Sequence, residues 1–161
     1  MEQFKKITCT INGRKITKTV DLRESLTDFL RNDLGLKSVK KGCEAGECGA
    51  CTVIIDGETY NSCIYLAIWA DGKNIRTLEG LMAPTEEISD IQQSFIDEGA
   101  VQCGFCTPGM IMSAQNIIEK NIVMSRDEIR RNMAGNLCRC TGYENIVNAI
   151  EKTINKNRGQ A

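Results

Sequence analysis

Eight of the nine cysteines fall into two compact sets, and this placement constrains the fold more than any other feature of the sequence. The members of the two sets are Cys43, Cys48, Cys51 and Cys63 in the first, and Cys103, Cys106, Cys138 and Cys140 in the second. Each set supplies the four thiols that a structural zinc ion or an iron-sulfur cluster takes as ligands. The sequence therefore predicts two metal centres and a fold that gathers each set in space.

The spacing of the first set is more specific than that of the second. The first set begins C-x4-C-x2-C, the opening of plant-type [2Fe-2S] ferredoxins, whereas structural zinc sites more often pair two C-x2-C units. Gly42, Gly46 and Gly49 alternate with its cysteines, and glycine lets backbone N–H groups approach a bulky cluster. The second set combines C-x2-C with a distant C-x-C, a spacing that leaves both zinc and iron-sulfur open.

Composition excludes several other kinds of site and partner. The chain has no histidine, which removes Rieske ligation, mixed Cys-His zinc fingers and a Cys-His nucleophile pair. An odd number of cysteines without an export signal argues against a disulfide framework, and Cys9, alternating with Ile7 and Ile11, is predicted to be a buried thiol. A net charge of -1 without a basic block argues against nucleic acid, and no apolar run is long enough to span a membrane. We expect a cytoplasmic protein.

The first half of the chain predicts a sheet that wraps one helix. Two hairpins are expected at residues 4–20 and 52–60, with turns at Asn12-Gly13 and Asp56-Gly57. Between them a helix is capped by Ser25 and ends at Gly35, and a last strand is expected at residues 75–78. The predicted fold is α+β, with residues 1–80 as a β-grasp, ferredoxin-like domain.

Residues 81–161 are predicted to form a helical domain after the periodic pattern lapses at Ala83-Pro84. Four helices are expected, beginning at Ser89, at Thr107 as N-cap, at Ser125 and near Tyr143. In an up-down-up-down four-helix bundle, the loops before the second and fourth helices lie at the same end. These loops hold the second cysteine set, and both lead into helix N-termini, where an anionic cluster is favoured.

Three stretches resemble the iron-sulfur component of the molybdenum hydroxylases, the xanthine oxidase family. They are GCEAGECGACTV at residues 42–53, AVQCGFCTPG at 100–109 and GNLCRCTGY at 135–143. The segment at residues 61–80 is most similar to the separate small subunit of bacterial xanthine dehydrogenases. The loop at residues 121–124 departs from the pattern, because relatives often have prolines there.

The resemblance implies two [2Fe-2S] clusters, one in each domain, held by the eight cysteines of the two sets. It also implies a complex with a large molybdopterin-binding subunit and an FAD-binding subunit. Electrons would pass from the molybdopterin centre to the helical-domain cluster, then to the β-grasp cluster and to FAD. Gln102 and Cys140 match positions that approach the pterin. Substrate oxidation, expected to be that of hypoxanthine and xanthine, would occur on the partner, and this chain would carry no catalytic residue.

Three alternatives to this interpretation remain open. The complex could be of the nicotinate, aldehyde or CO dehydrogenase type, because the substrate pocket would lie on another chain. The chain could instead be a four-cysteine zinc interaction module, which would be colourless and redox-silent. A stand-alone ferredoxin is the third alternative, and it would leave the match of Gln102 and Cys140 to pterin contacts without a purpose.

Overall fold

The computed structural model describes residues 3–82 and 87–159, which form a mixed sheet followed by helices. The strands, in chain order, are β1 (Phe4–Ile11), β2 (Arg14–Asp21), β3 (Thr52–Ile55), β4 (Glu58–Asn61) and β5 (Asn74–Arg76). The helices are α1 (Leu26–Asp28, continued by a π-helical turn at Phe29–Asp33), α2 (Asp90–Asp97), α3 (Thr107–Glu119), α4 (Arg126–Asn132) and α5 (Glu144–Arg158). The predicted lapse at Ala83-Pro84 lies outside the described residues.

The five strands form one sheet in the order β2-β1-β5-β3-β4. β1 and β5 are parallel and the other neighbouring pairs are antiparallel. Both predicted hairpins are confirmed, with positive φ at Asn12-Gly13 and at Asp56-Gly57, as a two-residue type I′ turn requires. The final strand is shorter than expected and ends at Arg76. This sheet agrees with the predicted ferredoxin-like domain.

The predicted helix at Ser25 is present but irregular. The Ser25 hydroxyl accepts a hydrogen bond from the backbone N–H of Asp28 over 3.1 Å, and the chain leaves the helix at Gly35 with a φ of 72°. After Asp28 the helix widens into the π-helical turn. A helix this short is stabilised by burial of its apolar face. Its backbone geometry is therefore set by the packing of Leu26, Phe29 and Leu30 in the core.

The four predicted helices of the second domain are present, with one shifted N-cap. Ser89 with Gln92 and Ser125 with Glu128 form the two expected capping boxes. The N-cap of α3 is Cys106, one residue before the predicted Thr107, and Pro108 lies in the first turn. Helix α5 begins after Tyr143, whose φ is 69°.

The arrangement of these helices does not confirm the predicted four-helix bundle. Helix α5 contacts α2, α3 and α4, but α3 also packs on β3 and β4 of the sheet. Most residues of α3 are buried, and a helix that is apolar around most of its circumference needs cover on more than one side. The domain is therefore helical, and a free-standing bundle is not confirmed. Among the residues described, no helix combines the length and apolar character needed to cross a lipid bilayer.

Candidate metal centres

The loop before β3 carries three cysteines of the first set, and Cys63 follows β4. Backbone N–H groups of Ala45 and Glu47 donate to the Sγ of Cys43 over 3.4 and 3.3 Å. Together with the N–H of Cys48 they lower the pKa of the Cys43 thiol to about 6. The loop thus presents backbone dipoles that stabilise negative charge on sulfur, as a ligand thiolate requires.

The backbone of this loop needs left-handed conformations to turn around its sulfurs. Glu44, Gly46 and Gly49 have φ values of 55°, 80° and 68°. The Asn61 side chain donates to the carbonyl oxygen of Gly46 over 2.7 Å and ties the loop to β4. Burial, together with the hydrogen-bonded Cys51 thiol, raises the pKa of Cys63 to about 11. Within the first set, Cys63 therefore pairs with Cys51.

The second set gathers at the N-terminal ends of α3 and α5. The Sγ atoms of Cys103 and Cys140 lie 3.6 Å apart, although 37 residues separate them in the chain. Burial raises the pKa of Cys106 to about 12, and the thiol of Cys138, in hydrogen-bond contact with it, adds to the shift. The four thiols of the second set thus meet where α3 and α5 begin, the place that the sequence predicted for them.

Polar groups around Cys138 stabilise its thiolate. The Thr141 hydroxyl donates to the Sγ of Cys138 over 3.1 Å, and the backbone N–H of Cys138 donates to the Tyr143 hydroxyl over 2.9 Å. Burial opposes ionisation of Cys138, but the Thr141 hydroxyl and the backbone N–H groups of Thr141 and Cys140 outweigh it and lower the pKa.

The paired arrangement of the thiols fits binuclear clusters better than single ions. The sulfur contacts join Cys43 with Cys48, Cys51 with Cys63, Cys103 with Cys140, and Cys106 with Cys138. In a [2Fe-2S] cluster each iron takes two thiolates, whereas zinc takes all four around one point. The donor set therefore fits [2Fe-2S].

Exposure differs between the members of the second set. Gln102, Cys103 and Cys140 are exposed, whereas Cys106 and Cys138 are partly buried. Phe105 and Leu137, each next to a cysteine of the set in the sequence, have 48% and 55% of their surface exposed. The predicted pterin contacts thus lie at the surface beside apolar side chains. Cys9 is buried in the sheet core, as expected, and burial raises its pKa.

A contact between the two cysteine-bearing loops was not foreseen from the sequence. The backbone N–H of Leu137 donates to the carbonyl oxygen of Cys48 over 2.9 Å. The buried side chain of Asn136 binds the same loop. The one sequence signal for a role of Asn136 is its position two residues before Cys138. No spacing rule relates Asn136 to residues 48–52.

Two family profiles match the chain in consecutive segments. Residues 9–77 match the 2Fe-2S iron-sulfur cluster binding domain, and residues 77–151 match the [2Fe-2S] binding domain. The chain is 52% identical over 152 residues to the xanthine dehydrogenase iron-sulfur-binding subunit of Escherichia coli O157:H7, covering 91% of this chain and 94% of the relative. It is 48% identical over 140 residues to the nicotine 6-hydroxylase small subunit of Paenarthrobacter nicotinovorans, covering 87% and 84%.

A solved structure with the same fold is that of quinoline 2-oxidoreductase from Pseudomonas putida 86. The TM-score is 0.91 and the identity 45%, and the match covers 99% of this chain and 100% of that one.

Proposed function

This chain belongs to the [2Fe-2S] iron-sulfur subunits of the molybdenum hydroxylase family, and we propose that it conducts electrons from a molybdopterin subunit towards an FAD subunit. Bound [2Fe-2S] clusters supply one-electron oxidation and reduction. The observation that supports the proposal most is the presence of two paired sets of four cysteines in loops joined by the hydrogen bond from Leu137 to Cys48.

Each predicted domain has a separate part in this proposal. Residues 1–80, the β-grasp domain, hold the first cluster with Cys43, Cys48, Cys51 and Cys63. Residues 81–161, the helical domain with α2 to α5, hold the second cluster with Cys103, Cys106, Cys138 and Cys140. The protein groups contribute thiolates and N–H and O–H donors to the sulfurs, and these set the potential of each centre.

The surface beside the second set supports a direction for the electrons. Cys140 and Gln102 are exposed, and so are the apolar side chains of Phe105 and Leu137, which adjoin cysteines of the set in the sequence and on which a partner can pack. We place the large molybdopterin subunit there, so that electrons enter at Cys140. The first cluster is then the exit towards FAD. A cytoplasmic location belongs to the same proposal and stays a prediction.

The substrate of the complex is proposed to be a purine, hypoxanthine or xanthine. The 52% identity to a xanthine dehydrogenase subunit favours it, but a nicotine 6-hydroxylase subunit follows at 48%. Relatives also include subunits named for caffeine, nicotinate and aldehyde oxidation. Because the substrate pocket is proposed to lie on a partner, the sequence of the small subunit has little physical reason to change with the substrate. A nicotinate or aldehyde complex is therefore the second candidate.

The chain purified without oxygen should contain about four irons and four inorganic sulfides, and reduction should give two distinguishable paramagnetic signals. It should also co-purify with a large molybdenum-containing chain. Elemental analysis, electron paramagnetic resonance and mass spectrometry of the purified complex provide the measurements, followed by activity with hypoxanthine and xanthine.

Zinc in place of iron would contradict the electron-transfer function. A lone monomer with both clusters would contradict the subunit assignment and favour a stand-alone ferredoxin. Activity with nicotinate or aldehydes but not with purines would change the substrate alone.

Substituting Thr141 with valine should lower the reduction potential of the second centre by tens of millivolts, on the order of 20–60 mV. The hydroxyl donates to the Sγ of Cys138 over 3.1 Å, and a donor at a ligand sulfur stabilises the more negative reduced state. A redox titration followed by paramagnetic resonance measures each centre separately. Thr141→Ser keeps the hydroxyl and should retain the potential; an equal shift in both variants would show that the hydrogen bond is not the cause.

A further inference from the structure

The two cysteine sets meet at a junction formed by backbone and one buried amide. Leu137 follows Asn136 and precedes Cys138, and its N–H donates to the carbonyl oxygen of Cys48 over 2.9 Å. One peptide unit and one hydrogen bond therefore connect a cysteine of the second set to a cysteine of the first. This connection is shorter in bonds than the route along the chain, because Cys48 and Cys138 are 90 positions apart in the sequence.

Asn136 makes three side-chain hydrogen bonds at this junction, and it is 4% exposed. Its Oδ1 accepts from the Ser113 hydroxyl of α3 over 2.7 Å. Its Nδ2 donates to the carbonyl oxygen of Gly49 over 3.0 Å and to the Thr52 hydroxyl over 3.2 Å. The oxygen of the Asn136 amide thus binds the helical domain, and its nitrogen binds the ferredoxin-like domain.

The backbones on the two sides touch without intervening side chains. A methyl group on Gly49 would overlap the carbonyl oxygen of Gly135 and the amide of Asn136. A methyl group on Gly109 would overlap the carbonyl oxygen of Gly49 and lie 3.1 Å from its carbonyl carbon. Small displacements are resisted here, because close-packed backbone has no flexible group that can yield.

We propose that Asn136 is a positioning residue that keeps the Leu137 N–H on the Cys48 carbonyl and thereby fixes the path for electron exchange between the two centres. The inference rests on the proposed function. The exchange moves one electron from the reduced centre to the oxidised one, and no bond is made or broken. The protein's contribution to such a step is orientation and distance, which this amide controls from outside the ligand sets.

A matched control is available in Asn116 of α3, which is also buried and also bridges the two domains. Its Nδ2 donates to the carbonyl oxygen of Gly57 over 2.5 Å. Gly57 lies at the β3–β4 turn, at the other end of β3 from Cys51 and thus about 13 Å away along the strand. An Asn116→Leu variant loses an interdomain hydrogen bond of the same kind without disturbing the junction.

The experiment compares Asn136→Leu and Asn116→Leu with the wild type in the cluster-loaded complex. Asn136→Leu should keep about four irons, increase hydrogen exchange at the Leu137 amide about tenfold and slow electron exchange between the centres several-fold. The magnetic interaction between the two reduced centres should also weaken. Asn116→Leu should also lose thermal stability, but it should leave the hydrogen exchange, the electron exchange and the magnetic interaction at their wild-type values. Ser113→Ala, a milder change at the same amide, should shift them in the same direction.

Wild-type electron exchange and magnetic interaction in Asn136→Leu and Ser113→Ala would overturn the proposal, as would equal changes in Asn116→Leu. A wild-type chain without two reducible centres would instead refute the proposed function. The two failures are therefore separate observations.

Discussion

Replacing Cys106 with alanine should lower the iron content from about four atoms per chain to about two, and remove one of the two paramagnetic signals. Cys106 is partly buried and its thiol contacts that of Cys138, whereas the thiols of the exposed pair Cys103 and Cys140 contact each other. Alanine leaves one iron of the second centre with a single thiolate, and the chain has no histidine that could replace the lost sulfur. Since electrons are proposed to enter at this centre, delivery to the FAD subunit should be lost.

The matched control is Cys9→Ala, which removes the one cysteine outside the two sets. Cys9 is buried among apolar residues of the sheet, so its loss costs stability, about 1 kcal/mol, through a small cavity. It should leave the iron content and both signals unchanged. Full iron content in Cys106→Ala, or loss of iron in Cys9→Ala, would contradict the assignment of ligands.

Replacing Gly109 with alanine should destabilise the protein by about 3 kcal/mol and separate the two cysteine loops. Helix propensity alone predicts the opposite, because alanine in a helix is favoured over glycine by about 1 kcal/mol. The steric overlap costs more free energy than the helix propensity contributes. The new methyl group would overlap the carbonyl oxygen of Gly49, which belongs to the backbone and cannot rotate away. Chemical denaturation measures the free energy, and hydrogen exchange at Leu137 reports the separation.

Gly135→Ala is the control for this substitution. Gly135 belongs to the same junction, but its φ is outside the left-handed region and a methyl group there meets nothing within 4 Å. Alanine should be neutral there, or more stable by up to about 1 kcal/mol, because it reduces the entropy of the unfolded chain. If Gly109→Ala were as stable as Gly135→Ala, the close contact with Gly49 would be wrong.

Local elements were predictable where one or two residues decide the backbone. Asn12-Gly13 and Asp56-Gly57 can adopt the positive φ values of a tight hairpin turn, and the sheet contains both hairpins. Ser89 and Ser125 cap their helices with the glutamine or glutamate three residues later. The cysteine spacings similarly predicted two sites, and the structure brings both sets together.

Elements that depend on packing were less well predicted. The bundle was inferred from helix order, but that order does not show that α3 also packs on β3. The π-helical turn after Asp28 follows the burial of Phe29 and Leu30 and has no signal of its own in the sequence. The substrate stays undetermined by this chain, because the proposed pocket lies on a partner.

The sequence by itself indicated two four-cysteine metal sites, because cysteine count, spacing and neighbouring glycines are local properties that ligand geometry requires, although the spacing of the second set fits zinc as well as iron-sulfur. Only the tertiary structure decided how the two sites are joined. Asn136 and Gly49 are 87 residues apart, and no local pattern relates them. Their contact results from packing α3 against the sheet, which brings Gly109 onto the Gly49 backbone and aligns Leu137 with Cys48. Such long-range contacts depend on the shapes of complete surfaces, and those exist only in the folded chain.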